Sequence, residues 1–182
     1  MRFQEWHDRS IQAQFNAWRA ANQEKAPSDV TVIYEDESKF PTTFNSPAVN
    51  SNGQLIALRS ATEQISDIVQ IQNGTLNTFV PVGQRNASNI AADDRFIVWD
   101  AFVDHPLHNG LRYSDLFVYD LQSKKRRRLT RKGYFFSPAI GPDHQVIAIQ
   151  NTPQGESGLA FFTLSTDGTL EPSRTIPAPS GF

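Results

Sequence analysis

An internal repeat limits the folds open to this chain more than any other feature. Residues 46–57 read SPAVNSNGQLIA, and residues 137–148, which lie 91 positions later, read SPAIGPDHQVIA, with six of the twelve positions identical. A weaker copy, SNIAADDRFIVW, begins at Ser88. After each copy a second marker opens an apolar run, and its three versions are Ser66-Asp67-Ile68, Ser114-Asp115-Leu116 and Ser157-Gly158-Leu159. Repetition at a fixed period predicts one supersecondary unit of about 45 residues used three times.

Each unit has the pattern of antiparallel strands. Short apolar or alternating runs are separated by turn residues about every 8 to 12 positions. Asn-Gly or Asp-Gly dipeptides at 52–53, 73–74 and 167–168 accept the positive φ of hairpin turns. A strand, an Asn/Asp turn and three further strands per unit are typical of a β-propeller blade. Nine of the strands are predicted from their own runs: Gln54–Arg59, Asp67–Gln72, Asn77–Val82, Arg95–Ala101, Asp115–Leu121, Arg127–Thr130, Gln145–Gln150, Leu159–Leu164 and Ser173–Ile176.

Two further segments connect the repeat to a known family. The sequences SDLFVYDL at 114–121 and RRLT at 127–130, together with the Ser-Pro-Ala and Gln-x-Ile-Ala positions, resemble the TolB-type (WD40-like) β-propeller repeat family. The resemblance covers roughly residues 40–177. It implies that Ser-Pro-Ala begins the innermost strand of a blade and that the Ser-Asp step begins the third strand. Gly158 departs from this pattern, because the family has Asp there.

The predicted fold is therefore mainly β, with three four-stranded antiparallel blades at about 40–83, 84–133 and 134–177 inside a propeller segment that spans 40–182. A closed ring typically needs about four to eight blades, so we expect an incomplete or open propeller cut from a longer protein. An open stack exposes apolar faces on its end sheets. We expect a second copy of the chain to cover the third blade in a homodimer.

A different pattern occupies residues 1–39, which we interpret as a docking segment. Residues 2 to about 25 have the spacing of one amphipathic helix ended by Pro27, and Val30–Tyr34 has the pattern of a short strand. We expect the apolar face of the helix to pack on the first blade. That face carries Phe3, Trp6, His7, Ile11, Phe15, Ala17, Trp18 and Ala21.

Composition excludes several classes of function. The 182 residues include no Cys, which excludes disulfides and Cys-based metal sites or nucleophiles. The net charge of −2 gives no electrostatic reason to expect nucleic acid as a partner. There is no apolar run of about 18 residues that would predict membrane insertion. Arg2, Glu5, Asp8 and Arg9 interrupt any signal-peptide core, which leaves open a cytosolic protein or one whose leader lies outside this sequence.

The most prominent charged feature is the run from Lys124 to Lys132, which holds seven cations in nine positions. One interpretation is an anion site for phosphate, acidic polysaccharide or RNA. However, no aromatic residues are interleaved with the charges, as a base-stacking surface would need. Basic side chains on an outer strand discourage aggregation through the sheet edge. We therefore expect the run to protect an edge.

Metal-ligating and nucleophilic residues are sparse. The one cluster that resembles zinc ligands comprises Asp100, Asp104, His105, His108 and Asp115. Its histidines fall in the longest loop between predicted strands, where His-x-x-His has no fixed geometry, so ordinary loop polarity is the favoured interpretation. The segment 155–158 fails the spacing of a hydrolase elbow, and His7 is interpreted as a packed helix residue. The sequons at Asn73 and Asn86 matter only in a eukaryotic secreted protein. We predict no catalytic residue, no metal site and no cofactor.

The resemblance implies a bacterial envelope setting, periplasmic or extracellular, and contacts with a protein partner. We therefore expect a non-catalytic propeller segment that serves as a protein- or ligand-binding platform. The alternative is an accessory propeller domain of a peptidase or other hydrolase whose catalytic domain lies outside this chain. A His-Glu-x-x-His helix upstream in the full-length product would favour this alternative.

Overall fold

The computed structural model describes residues 13–14, 16–17, 20, 31–35, 42–62, 64–83, 87–108 and 110–178. Within these ranges the chain forms three four-stranded antiparallel sheets, each ordered as the strands follow in the chain. The first sheet contains β1 (Thr42–Val49), β2 (Leu55–Ala61), β3 (Gln64–Gln72) and β4 (Thr75–Pro81). The second contains β5 (Ala87–Ala92), β6 (Phe96–Asp104), β7 (Arg112–Asp120) and β8 (Lys125–Arg128). The third contains β9 (Phe135–Ile140), β10 (Gln145–Asn151), β11 (Ser157–Leu164) and β12 (Leu170–Pro177), and the stack is open.

The nine strands predicted from apolar runs are all present, with shifted ends, and the innermost strands β1, β5 and β9 complete four strands per unit. The outer strand predicted at Arg127–Thr130 is displaced as a whole, because β8 both begins and ends two residues earlier. Lys124 adopts a φ of 56° and closes the turn, which pairs Lys125 with Asp120. A single 3₁₀ turn at Pro142–His144 interrupts the strand pattern within the described ranges.

The short strand predicted at Val30–Tyr34 is wrong for its described part. Residues 31–35 have no regular secondary structure, although the ring of Tyr34 lies 5.5 Å from that of Phe44 in an edge-to-face arrangement. A strand needs a ladder of backbone hydrogen bonds with a neighbour, and β1 pairs only with β2 among the described strands. An alternating pattern without such a neighbour is therefore insufficient.

The second sheet is covered on both faces, because β6 is apolar at consecutive positions. Successive side chains of a strand point to opposite faces. Ile97 and Trp99 point towards the first sheet, whereas Phe96 and Val98 point towards the third. The core between the first and second sheets comprises Ile56, Leu58, Ile68, Val80, Val82, Ala87, Ile90, Ile97, Trp99, Ala101, Phe117 and Tyr119. The core between the second and third sheets comprises Phe96, Val98, Leu116, Val118, Val146, Ala148, Ala160, Phe162 and Leu164.

Each innermost strand carries a β-bulge at the same position of the repeat. In β1 the pairing register shifts between Asn45 and Ala48, and the same kind of shift occurs in β5 and β9. Ser46 and Ser137 both adopt a φ of 48° there. The proline that follows each serine has no N–H to give to the ladder, which explains why Ser-Pro-Ala marks a bulged strand.

The two end sheets differ on the faces that point away from the second sheet. On the first sheet, Ala57 and Val69 lie opposite each other and are 1% and 0% exposed. On the third sheet, the opposed residues Ile149 and Leu159 are 40% and 43% exposed. One end of the stack is therefore covered and the other is open to solvent.

The amphipathic helix predicted over residues 2 to about 25 lies mostly outside the described residues. Positions 13, 14, 16, 17 and 20 within it have helical backbone and are exposed. The bounds of the helix and its expected packing on the first blade fall outside the described part and stay predictions. Among the described residues, no helix is long and apolar enough to cross a membrane.

Candidate functional site

The aspartate of the Ser-Asp marker anchors the third strand of the first sheet. The Asp67 carboxylate accepts hydrogen bonds from the Arg59 guanidinium at 2.9 and 2.6 Å and from the Thr78 hydroxyl at 3.0 Å. These donors come from β2 and β4, which flank Asp67 on either side. The carboxylate therefore ties three strands together. In the third sheet the corresponding Gly158 leaves no room for a side chain, because a Cβ there would lie 2.7 Å from the carbonyl oxygen of Ile176.

Asp115 anchors the third strand of the second sheet to β8 and to the segment that follows β8. Its carboxylate accepts hydrogen bonds from the Arg128 guanidinium at 2.5 Å, the Thr130 hydroxyl at 3.0 Å and the Gly133 N–H at 2.9 Å. The side chain is fully buried. The marker that the repeat shows is therefore a structural anchor, and its carboxylates are already satisfied by protein donors.

The arginines of the basic run have structural contacts. The Arg126 guanidinium lies 5.3 Å from the centre of the Phe117 ring and donates to the carbonyl oxygen of Pro81 at 3.0 Å. Arg127 donates to the carbonyl oxygen of Asp167. These bonds link β8 to the first sheet and to the third, so the positive charges serve in part to join neighbouring sheets.

The five residues with the pattern of zinc ligands are not brought together. Asp100 and Asp115 lie on opposite faces of the second sheet, because Asp115 pairs with Ala101, the residue next to Asp100. Both carboxyl groups are buried. The histidines of the pattern follow β6 in an exposed loop.

That loop has a local hydrogen-bond pattern. His105 Nδ1 accepts hydrogen bonds from the N–H groups of Leu107 and His108, both at 3.1 Å, and the two imidazole rings lie 4.6 Å apart. Desolvation and the nearby His108 lower the pKa of His105. Asp104 pairs with Arg112 at 3.3 Å. Ordinary loop polarity explains these groups.

Polar side chains join the innermost strands at their bulges. Ser46 Oγ donates to the carbonyl oxygen of Ser88 at 2.7 Å, and Asn89 Nδ2 donates to Ser137 Oγ at 3.1 Å. Ser46, Ser88 and Ser137 are the first residues of the three repeat copies. The repeat therefore encodes a polar seam between sheets as well as a strand. Beside it lies a pocket of about 400 Å³ lined by Asn45, Ser46, Leu58, Ser60, Ser66 and Ser88.

Asp100 is the buried ionisable group of this seam. Ser88 Oγ donates to Asp100 Oδ2 at 2.5 Å, whereas Asp100 Oδ1 has no hydrogen-bond partner. Burial raises the pKa of Asp100 above the usual 3.8, while the Ser88 hydroxyl and the backbone N–H groups of Ser137 and Asn89 oppose the shift. A carboxyl group with a raised pKa is a common feature of functional sites, but this one is closed to solvent and contacts the seam itself.

A second pocket, of about 440 Å³, lies where the turns after β1, β5 and β9 meet. His144 Nδ1 lies 2.6 Å from Asp93 Oδ2, and one oxygen of Asp94 is within 4.8 Å of both groups. Sequence reasoning missed this cluster because its members belong to two repeat units. The available signal was the alignment of Asp94 with Asp143, which places acidic residues in the same turn of successive units.

The remaining motifs have ordinary positions. Ser157 opens β11, and its hydroxyl donates to Asn151 Oδ1 at 2.8 Å across a β-hairpin, which is unlike the strand–turn–helix setting of a hydrolase nucleophile. Asn73 occupies an Asn-Gly hairpin turn with a φ of 51°. His7 and Asn86 lie outside the described residues.

Three stacked four-stranded sheets with bulged innermost strands define a β-propeller type of domain. The tricorn protease has a similar structure, with a TM-score of 0.55 and 15% identity over 68% of this chain and 14% of that chain. TolB from Acinetobacter baumannii is also similar, with a TM-score of 0.53 and 16% identity over 74% of this chain and 32% of that chain. The chain therefore has a TolB-like β-propeller fold and spans less than a third of each of these proteins. No family model and no curated protein sequence matches it.

Proposed function

We propose that this chain is a non-catalytic protein-binding platform that acts through the outward face of its third sheet. We call this surface the end face. Register and alternation place five apolar side chains on it: Ile147, Ile149, Leu159, Phe161 and Ile176. The exposure of Ile149, Leu159 and Ile176, at 40%, 43% and 44%, is the observation that carries the proposal.

The repeat shows what such a face is built to contact. The residues 91 positions before Ile149 and Leu159 are Leu58 and Ile68, which the first sheet buries to 4% and 0% exposure against the second sheet. The end face therefore has the residue pattern of a sheet-to-sheet contact. Contiguous exposed apolar surface of this kind is typical of an interaction site.

A second copy of the chain is the occupant that the stack favours. The opposite end of the stack is covered, as the buried Ala57 and Val69 demonstrate, so copies cannot add head to tail through two free ends. A two-fold axis brings one end face against the same face of a partner and closes the assembly at two copies. The result is a homodimer with six sheets in one stack.

The biological setting belongs to the same proposal. The resemblance of the repeat sequence to the TolB-type family supports a place in the bacterial envelope, in the periplasm, as part of a longer protein. The similarity to the tricorn protease supports a second candidate function, an accessory propeller domain beside a hydrolase domain. The sequence of the full-length gene product separates the two candidates, because only the second requires a peptidase domain in it.

Sedimentation equilibrium of the purified chain over a range of concentrations tests the dimer. We expect a reversible monomer–dimer equilibrium that Leu159→Asp shifts towards the monomer. Full burial of a Leu contributes about 1.5–3 kcal/mol, and the fraction still exposed here is 43%, so the change removes about 1.3–2.6 kcal/mol over the two copies before the cost of burying charge. Since about 1.4 kcal/mol corresponds to tenfold in Kd, dimerisation should weaken more than tenfold.

Leu107→Asp is the matched control. Leu107 is the most exposed of the large apolar residues described, at 83%, and lies in the loop after β6, away from the end face. This variant should dimerise like the natural chain. A chain that stays monomeric at all concentrations, or a dimer that Leu159→Asp leaves intact, would contradict the assignment of the end face.

Non-catalytic function has its own test. We expect no peptidase or esterase turnover from the purified chain, since Ser157, Asp115 and His105 each have structural partners. Turnover that is abolished by changing one of these residues to Ala would contradict the proposal. Such a result would favour a hydrolase function for the chain itself.

A further inference from the structure

The geometry points to a divalent transition-metal site, of the zinc class, formed by Asp93, Asp94 and His144. This inference is independent of the dimer. Asp93 and Asp94 lie in the turn between β5 and β6, and His144 lies in the turn between β9 and β10. A cation bound by all three would fasten the second sheet to the third.

The three side chains already converge. One ligand atom from each lies within 4.8 Å of the others, and His144 Nδ1 is 2.6 Å from Asp93 Oδ2. Zinc is bound at about 2.0–2.2 Å by imidazole nitrogen and carboxylate oxygen. Small side-chain rotations are therefore enough to place a cation between the three groups. The exposed Asp94 can make most of this adjustment.

Two of the ligands are held in position by the fold. Asp93 Oδ1 accepts hydrogen bonds from the N–H groups of Arg95 at 2.8 Å and Phe96 at 2.6 Å, which leaves Oδ2 directed at the imidazole. The ring of Phe96 meets that of His144 edge to face, with centroids 5.0 Å apart. Such outer contacts orient the ligands of metal sites and reduce the entropy lost on binding.

The backbone of His144 adds a further reason to look for a function of its side chain. His144 has a φ of 56°, and the first repeat unit has Gly53 at the matching position, with a φ of 73°. Glycine adopts this conformation without the steric cost that a side chain brings. The third unit has an imidazole in a turn where glycine is the low-energy choice, and the imidazole points at Asp93.

The donor set selects the cation. One imidazole and two carboxylates suit Zn²⁺, whereas sites for Mg²⁺ and Ca²⁺ are built from oxygen ligands. The two carboxylates match the charge of a divalent ion. The pocket of about 440 Å³ opens beside them, so water can complete the coordination. The bound ion would link the second sheet to the third and would take no part in catalysis.

Titration of the metal-free full chain with ZnCl₂ by calorimetry, alongside Co²⁺ absorption spectroscopy, tests the site. We expect one Zn²⁺ per chain, visible Co²⁺ bands from nitrogen and oxygen ligands, and an increase in Tm on addition of zinc. His144→Gly restores the residue type of the first unit and relieves the backbone, so it should fold yet lose at least tenfold in zinc affinity. Asp94→Asn changes an exposed side chain and should also bind zinc at least tenfold more weakly.

The histidines of the β6–β7 loop supply the control. A double variant, His105→Gln with His108→Gln, removes two imidazoles that lie outside the pocket and should bind zinc like the natural chain. Absence of saturable one-to-one binding would overturn the inference. So would binding that survives both His144→Gly and Asp94→Asn, or binding that the loop double variant abolishes.

Discussion

Removal of the Asp115 carboxylate tests whether the marker aspartate holds the second sheet together. Asp115→Ala leaves the Arg128 guanidinium, the Thr130 hydroxyl and the Gly133 N–H without their shared acceptor. Removing one partner of a buried ion pair costs about 3–5 kcal/mol. The Asp115 side chain is 0% exposed but that of Arg128 is 30% exposed. Because the guanidinium can turn to water, we expect the lower limit, about 3 kcal/mol in the free energy of unfolding.

Urea and thermal unfolding, followed by far-ultraviolet circular dichroism and tryptophan fluorescence, measure this loss. For a chain of this size about 3 kcal/mol corresponds to a decrease in Tm of about 6–12 °C. The fluorescence of the fully buried Trp99, which stacks on Phe117 in the same sheet, reports on the sheet that the change weakens. Asp115→Asn keeps an acceptor for the hydroxyl and the N–H, so its loss should be smaller.

The control is an ion pair of the same residue types in the same sheet. Asp104 and Arg112 lie 3.3 Å apart with side chains 49% and 62% exposed. An exposed pair of this kind contributes about 0–1 kcal/mol, so Asp104→Ala should change Tm by no more than a few degrees. Equal losses for Asp104→Ala and Asp115→Ala would refute the argument from burial.

Two further changes probe the seam and the third sheet. Burial raises the pKa of Asp100, so its contribution to stability is complete below the usual value of 3.8 and is lost as the pH rises through the folded-state value. Asp100→Asn should remove this loss of stability at rising pH. The urea midpoint should therefore fall between pH 4 and pH 7 by more in the natural chain than in the variant, and an equal fall in both would contradict the prediction. Gly158→Ala introduces a Cβ 2.7 Å from the carbonyl oxygen of Ile176, so it should destabilise the third sheet by about 1–3 kcal/mol in urea unfolding. An unchanged urea midpoint would show that β12 can move aside for the added Cβ without loss of stability.

Structural features whose residues all lie within one repeat unit could be predicted from the sequence. Ser-Pro-Ala and Ser-Asp lie in fixed positions of a unit, so their recurrence predicts three sheets with equivalent strands. Local chemistry then explains the details, since Pro47 and Pro138 each follow a serine with a positive φ at a bulge. The strand expected at Val30–Tyr34 had no such support from the repeat, and its described residues form no ladder.

Features formed between units were beyond the reach of a single sequence. Asp93 and His144 meet only because the second and third sheets stack, and no local pattern specifies which turns then converge. The histidines that did stand out, His105 and His108, are close in sequence yet remain within one exposed loop. Spacing along a strand-rich chain therefore predicts its sheets well and contacts between its turns poorly.

The sandwiched position of the second sheet determines how the molecule unfolds. The first and third sheets each share one hydrophobic core with the second sheet. The stability of the stack should therefore behave as a sum of nearest-neighbour terms, as in a linear repeat array. We expect amide hydrogens in β6 and β7 to exchange only when both couplings are broken, and those in β12, at the open end, to exchange after the loss of one. The gradient of protection runs along the stack, and anything that binds the open end transmits its stabilisation inwards one sheet at a time.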